Sequence, residues 1–291
     1  MSSPCSIVGE SPWRETYKSG GQAGLKNEER KRDVNGKRDI EAGLKDGFCT
    51  IILAAGEGKR MKSALAKVLH PVGGVPMLTH SIAAARAAGS LRIVVVIGHQ
   101  REQIRALYLA DDLLFAEQRE QLGTGHAVLQ ARGFFQDYEG AIVILCGDVP
   151  LILPETVRAL YDHHRSQGAT VTVLTTQPPD PTGYGRIVTT DDGSILKIVE
   201  EKDATVEEKL IREINTGIYC VESDFLFMAV AGLGNRNAQK EYYLTDIVER
   251  ARKNGQRVTA FPAADPREVM GINTPEELAT ASSLMEVRDL R

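Results

Sequence analysis

The sequence predicts an α/β fold: a mostly parallel, doubly wound sheet covered by helices, with a small β-rich insertion in its second half. Three observations carry that expectation. From Phe48 short apolar runs alternate with helical stretches, which is how strands return through helices to a parallel sheet. Gly56 and Gly58 stand directly after the first apolar run, where a buried strand must turn. Beyond Gly183 the rhythm shifts to closely spaced strand-like runs joined by Asp191-Asp192-Gly193, a strong hairpin signal.

In chain order, residues 1–47 are rich in Gly, Ser, Lys, Arg, Glu and Asp, with apolar residues at no steady period. They are predicted to be a disordered extension to one domain spanning 48–291. The basic triplet Arg30-Lys31-Arg32 is bracketed by Glu28, Glu29 and Asp33, which marks a solvated mixed-charge segment rather than a binding patch. Strands are expected at Phe48 to Leu53, Arg92 to Ile97, Leu113 to Ala116, Ala141 to Cys146 and Ala169 to Leu174. Helices are expected at Pro76 to Ala88, Gln100 to Tyr108, Gly125 to Arg132 and Pro154 to Gln167, with Pro76 suited to a first helical position. The insertion contributes strands at Gly185 to Thr190, Ser194 to Glu200 and Asn215 to Val221. Tyr242 to Lys253 reads as a helix ended by Asn254-Gly255, Arg257 to Phe261 as a strand and Pro275 to Val287 as a closing helix.

With 291 residues, 42% apolar and 25% charged, the chain can form a substantial core. Its 35 Lys and Arg against 39 Asp and Glu leave no basic excess to follow a phosphate backbone, and 5% aromatic content makes a poor stacking platform, so no nucleic acid partner is expected. No apolar run approaches the roughly 20 residues of a membrane helix, and no signal-peptide core opens the chain. The expected compartment is the cytoplasm. Cys5, Cys49, Cys146 and Cys220 form no CxxC pair and read as free thiols, the last three as small apolar residues in strands rather than nucleophiles. The sequence assigns no oligomeric state.

The stretch Leu53-Ala54-Ala55-Gly56-Glu57-Gly58-Lys59-Arg60-Met61, followed six residues later by Lys67, reads as a phosphate-handling loop. Glycine lets backbone N–H groups approach an anion with no Cβ in the way, and a guanidinium and an ammonium grip a polyphosphate through two geometries. The spacing fits neither GxxxxGK[ST] nor GxGxxG, because the next glycine is Gly73. Taken alone, the two glycines suit a βα turn without a ligand better; the rest of the chain shifts the balance.

Gly147-Asp148-Val149-Pro150 places a carboxylate at the carboxyl edge of a central strand, where open α/β sheets bind ligands. A carboxylate facing the glycine loop suits Mg²⁺, although a turn before Pro150 accounts for Asp148 equally well. Asn273 is a second candidate oxygen, since Thr274, Pro275 and Glu277 already form a capping box and leave it unneeded as a cap. Glu117-Gln118 and Gln121-Leu122-Gly123-Thr124-Gly125-His126 offer the amide and backbone groups a pyrimidine edge requires, and also the letters of a plain helix start. His126 reads as a helix-surface residue. Gly185, Glu200 and Asn215 fall on the insertion, where carboxylate and amide groups suit sugar hydroxyls and solvent alike.

In order and spacing, LAAGEGKRM, KVLH, EQLGTGHA, GDVPLI, DPTGYGRI, VEEKDAT, EINTGI and EYYLTDI resemble the nucleotidyltransferase superfamily of sugar-phosphate pyrophosphorylases. Within it they most resemble the uridyltransferase half of bacterial bifunctional N-acetylglucosamine-1-phosphate uridyltransferases, over about Phe48 to the C-terminus. The resemblance implies a Rossmann-like nucleotide-diphospho-sugar transferase fold, UTP and a sugar-1-phosphate as small-molecule substrates, and Mg²⁺ as cofactor. It implies that Leu53, Ala54, Ala55, Gly56 and Gly58 lie against the nucleotide, with Arg60 and Lys67 as catalytic groups on its phosphates. Gln118, Gly123 and Thr124 would face uracil. Gly147, Asp148, Gly185, Glu200, Asn215 and Asn273 would surround the sugar side, with Asp148 and Asn273 holding the metal.

Three departures stand out: Lys59 where the family loop LxxGxGTxM has Thr, Ala66 where Pro precedes the lysine, and Cys146 where an aromatic residue often precedes Gly-Asp. Loss of the proline should cost about 0.4–1 kcal/mol of loop order, and the charge of Lys59 has the sign that favours a triphosphate. No hexapeptide repeats follow Val287, so a β-helix acetyltransferase half is not expected. Uridylyl transfer needs positioning and neutralisation more than a strong base, because a phosphate monoester is already a competent nucleophile.

Overall fold

The computed structural model describes residues 47–109 and 112–289. The extension expected over residues 1–47 lies outside them apart from Gly47. The described chain runs β1 (Cys49–Ala54), β2 (Pro71–Val72), β3 (Val75–Pro76), α1 (Met77–Ala87), β4 (Ile93–Ile97), α2 (Arg101–Leu107), β5 (Leu113–Glu117), α3 (Thr124–Gln130), β6 (Ala141–Cys146) and α4 (Pro154–Gln167). It continues through β7 (Val171–Thr176), β8 (Arg186–Thr189), β9 (Ile195–Val199), β10 (Ile214–Glu222), α5 (Ser223–Ala231), α6 (Asp246–Lys253), β11 (Val258–Pro262) and α7 (Pro275–Asp289).

Strand periodicity sorts the core into two layers. Ile51, Val94, Val96, Ile142 and Ile144 pack with Ala127, Val128, Phe225, Leu226, Ile247 and Val248 under α3, α5 and α6. Their neighbours in sequence, Ile52, Val95, Ile97, Val143 and Leu145, pack with Leu78, Ile82, Ile104 and Leu160 under α1, α2 and α4. Strands buried on both faces need continuous apolar runs, which is how β1, β4 and β6 read. A smaller cluster of Val72, Met77, Ile272 and Met285 seats α7 against the β2–β3 hairpin.

Among the described residues the main sheet has nine strands in the order β11-β7-β10-β6-β1-β4-β5, with β8 and β9 branching from β10. β1 pairs in parallel with β4 and with β6, so the chain winds outward from β1 to β5 and then crosses back to β6. The β1–β6 boundary is the topological switch point, and its crevice lies at the carboxyl ends of both strands.

Four sequence expectations change. β10 is wedged antiparallel between β6 and β7, so part of the insertion is built into the main sheet. Helix α5 was not expected, because SDFLFMAVA is apolar on nearly every face and carries no polar stripe to mark its period. Pro76 precedes α1 rather than opening it. Finally, α6 begins at Asp246 rather than Tyr242, since the backbone before it is committed elsewhere: Tyr242 N–H donates to Leu122 O at 2.8 Å and Gly125 N–H donates to Tyr242 O at 2.8 Å.

Candidate active site

Register brings the loops of the switch point level with one another. Leu53 pairs with Cys146, Ala54 with Ile97, and Ile97 with Glu117, so the chain leaves four adjacent parallel strands at nearly one height. The segments that follow line a cavity of about 620 Å³, which includes Leu53, Ala54, Ala55, Gly56, Gly58 and Arg60. Lys67, Gln118, Gly123, Thr124, Asp148 and Asn273 line it too. Gly147 does not: its N–H donates to Leu53 O at 2.9 Å, and a Cβ there would stand 3.1 Å from that oxygen. Its role is to let β6 and β1 part closely.

The two loop glycines do different work. Gly58 has φ +67°, and a Cβ there would meet Lys67 Cβ at 2.5 Å, so the lysine stem lies across the bare backbone. At Gly56 a Cβ would meet no atom within 4 Å among the described residues, which leaves its open space to a ligand. Lys59 extends to solvent and pairs with Glu57 at 2.9 Å, so its added charge is balanced within the loop itself.

Lys67 is the hub of the site. Its ammonium donates to Asp148 Oδ2 and, at 3.0 Å, to Asn273 Oδ1, joining groups 206 residues apart, with the Lys67 and Asp148 side chains 14% and 20% exposed. Each partner is held from behind. Ile272 N–H donates to Asp148 O at 2.9 Å, and Asn273 Nδ2 donates to Gly271 O at 3.2 Å, which turns Oδ1 toward the lysine. The capping box forms as expected: Glu277 N–H donates to Thr274 Oγ1 at 3.2 Å, while Glu277 Oε2 accepts from Thr274 N and Asn273 N. Asn273 is thereby spared from capping.

A carboxylate and an amide oxygen that converge on one cation also fit a hard divalent ion completed by phosphate and water oxygens. Among the described residues no group of three or more His, Cys, Asp or Glu could hold a metal without such help.

Of the residues expected to face uracil, Gln118 is 3% exposed, and its Nε2 lies 3.0 Å from Gly123 O and 3.1 Å from His126 Nδ1. His126 is therefore half-buried against the amide rather than a bare surface residue. With Nε2 occupied, Gln118 turns Oε1 to other donors. Gly123 has φ +109°, and a Cβ would come within 2.7 Å of Tyr242 O, so only glycine admits this crossing. Leu244 N–H then donates to Thr124 Oγ1 at 3.0 Å.

The sugar-side residues assemble apart from that lining. Asn215 N–H donates to Gly185 O at 2.9 Å, and a Cβ on Gly185 would lie 3.6 Å from Glu200 Oε2. Glu200 lines a separate cavity of about 340 Å³ with Asp203, Arg236, Asn237, Tyr243 and Asp246. Burial pushes the Glu200 carboxyl up from its ordinary value, the Thr245 hydroxyl hydrogen bond at 3.0 Å opposes this, and Asp246, Asp203 and Glu241 push it further. Burial, then Glu277, raises the Tyr184 hydroxyl pKa, and the Gly271 backbone opposes this.

Sequence reasoning singled out the stretches that hold Gln121 and Tyr184 without giving either a role of its own, and it missed Glu241 and the supporting role of His126. Their motifs TGYGRI, EQLGTGHA and EYYLTDI were visible, but their contacts form only on folding. No thiol nucleophile emerges among the described residues: burial pushes Cys49 up to about 11 and raises Cys146 and Cys220 as well.

A glycine turn at a switch point, with an arginine, a lysine, a carboxylate and an amide oxygen around one cavity, defines an α/β protein that handles phosphorylated nucleotides. Residues 49–267 match the Nucleotidyl transferase family, and the chain belongs to it. Over 242 residues it is 54% identical to the bifunctional protein GlmU of Geobacter metallireducens, an alignment covering 83% of this chain and 51% of that one. The bifunctional protein GlmU of Brevibacillus brevis is 49% identical over 238 residues, covering 82% and 51%. The chain spans about half the length of the curated relatives it matches. A crystal structure of a Bacillus anthracis protein assigned as a glucose-1-phosphate thymidylyltransferase, in complex with sucrose, superposes with TM-score 0.65. That match is 21% identical and covers 82% of this chain and 95% of that one, a likeness of fold. The family works with a divalent metal, and among the described residues no helix is long and apolar enough to cross a membrane.

Proposed function

We propose that residues 48–291 form a catalytic domain that transfers a uridylyl group from UTP to N-acetylglucosamine-1-phosphate, releasing pyrophosphate and UDP-N-acetylglucosamine. The observation that carries this reading is the convergence of Asp148 and Asn273 on the Lys67 ammonium beside the glycine loop. The identity to proteins named GlmU supports the choice of substrates. The reaction takes place in the cytoplasm on small molecules, and residues 1–47 are dispensable for it.

An oxygen of the sugar-1-phosphate attacks the α-phosphorus in line. The new P–O bond forms as the bond to the bridging α–β oxygen breaks, and pyrophosphate leaves with that electron pair. Mg²⁺, held by Asp148 and Asn273, would supply charge neutralisation on the phosphate oxygens. Arg60 and Lys67 orient and neutralise the phosphates. Backbone groups from Leu53 to Gly58 lie along the nucleotide, Gln118, Gly123 and Thr124 meet the uracil edge, and Gly185, Glu200 and Asn215 orient the sugar, while Gly147 keeps the parting of β6 from β1 close. The oxygens of Asp148 and Asn273 that would hold the metal also accept from the Lys67 ammonium, so with both substrates bound Lys67 would turn to phosphate.

The test is pyrophosphate release with Mg²⁺, UTP and N-acetylglucosamine-1-phosphate, run beside other nucleoside triphosphates and sugar phosphates. Turnover with that pair above all others is expected. Preference for another pair would overturn the substrate assignment, and silence across the panel would overturn the catalytic reading.

A further inference from the structure

Where the family loop has a Pro-Lys pair, this chain has Ala66-Lys67. The difference is one hydrogen-bond donor, because alanine keeps a backbone N–H that proline lacks. The structure uses it. Ala66 N–H donates to Gln100 Oε1 at 2.8 Å, and Gln100 Nε2 donates to the carbonyl of Ala64. A single side-chain amide thus closes on both a donor and an acceptor of the segment that leads into Lys67.

The surroundings of Gln100 show an amide committed to this loop. It precedes α2 with φ 52° and ψ 35°, a left-handed conformation uncommon outside glycine, and its side chain makes no capping bond to that helix. The turn that carries it is fixed to the glycine loop, since His99 N–H donates to Ala55 O at 3.2 Å. At the other end Ala66 is 1% exposed with φ −54°, a value proline itself adopts. Proline would hold this φ through its ring. Alanine needs an outside restraint, and Gln100 supplies one.

We propose that Gln100 is a positioning residue for Lys67: its amide fixes the Ala64–Ala66 segment in place of the proline ring, so that Lys67 reaches the phosphates. The proposal rests on the transfer reading above for its kinetic consequence and on the two hydrogen bonds alone for its structural one. It makes positions 66 and 100 interdependent. With alanine at 66 the amide is needed; with proline at 66 its chief acceptor role is gone, as no N–H remains to accept from.

The experiment compares the full chain with Gln100→Gly, Ala66→Pro and the double variant. Glycine suits the left-handed backbone, so Gln100→Gly removes the amide without adding strain, and Gln100→Asn, which also tolerates that backbone but is one methylene too short, is a second variant. Gln100→Gly is expected to lower kcat by about tenfold, as a displaced Lys67 would, and to speed exchange of the Ala66 amide proton by about tenfold. In the Ala66→Pro background the same change should alter kcat by less than about twofold. An equal kcat loss in both backgrounds, or an active Gln100→Gly with wild-type kcat, overturns the proposal. If the wild-type chain turns nothing over, the transfer reading fails by itself, and unchanged Ala66 exchange in Gln100→Gly then decides against the clamp independently.

Discussion

The regions proposed for the nucleotide and for the sugar are built by opposite strategies. On the nucleotide side, parallel strands β1, β4, β5 and β6 end in register, and their loops offer backbone groups and cations to an open cavity. On the sugar side, Gly185, Glu200 and Asn215 come from the ends of antiparallel β8, β9 and β10 and are already bonded to protein neighbours. β10 changes register between Asn215 and Tyr219, with Gly217 at φ +81°, and Asn215 Oδ1 accepts from Gly217 N–H at 3.0 Å within the irregularity. On the proposed reading a polyphosphate would meet cationic side chains at an open cavity, and a sugar would meet groups already hydrogen-bonded within the protein.

The largest effects belong to the cation site of Lys67, Asp148 and Asn273. Lys67→Ala and Asp148→Ala should each lower kcat by roughly 10²–10³ with the fold retained, measured as pyrophosphate release beside circular dichroism. Near-normal turnover in either folded variant would break the comparison at its stronger end. Next come the glycines. Gly58→Ala should lose about 1–3 kcal/mol of stability through its left-handed φ and displace Lys67. Gly56→Ala should keep the wild-type melting temperature and raise the UTP KM alone, and a matching stability loss at Gly56 would show that the open space there is not reserved for ligand.

Glu200 sharpens the sugar side through pH. Its folded pKa is raised above the ordinary value, so the folded state binds its proton more tightly than the unfolded chain. Stability referenced to the protonated form is therefore complete below the unfolded value of 4.5 and is lost as pH rises through the folded one. Glu200→Gln should unfold at higher denaturant than wild type at neutral pH, the gap closing toward pH 4, while the sugar-phosphate KM rises about tenfold. A gap that widens in acid would contradict this sign. The smallest effect belongs to Lys59→Thr: paired with Glu57 and 85% exposed, it should change the UTP KM by no more than about fivefold, less in high salt.

The same contrast explains what was legible in the sequence. The glycine loop, the Asp191-Asp192-Gly193 turn and the Thr274–Glu277 capping box are local, because each is fixed by the conformational limits of residues a few positions apart. All three form. The antiparallel course of β10 was not legible, since an apolar run specifies burial but not strand direction. Helix α5 had no polar stripe to give its period away. Gln118 with His126, Gln100 with Ala66, and Lys67 with Asn273 are contacts of side chains with backbone or with each other, and no spacing rule encodes the last across 206 residues.

The most direct test of the proposed cation site is anomalous scattering from crystals grown with UTP and Mn²⁺ in place of Mg²⁺. The expected result is a manganese peak ligated by Asp148 and Asn273 and bridged to phosphate oxygens, with the Lys67 ammonium withdrawn from both residues onto the phosphates. A bound nucleotide with Lys67 still spanning Asp148 and Asn273, and manganese elsewhere, would contradict it.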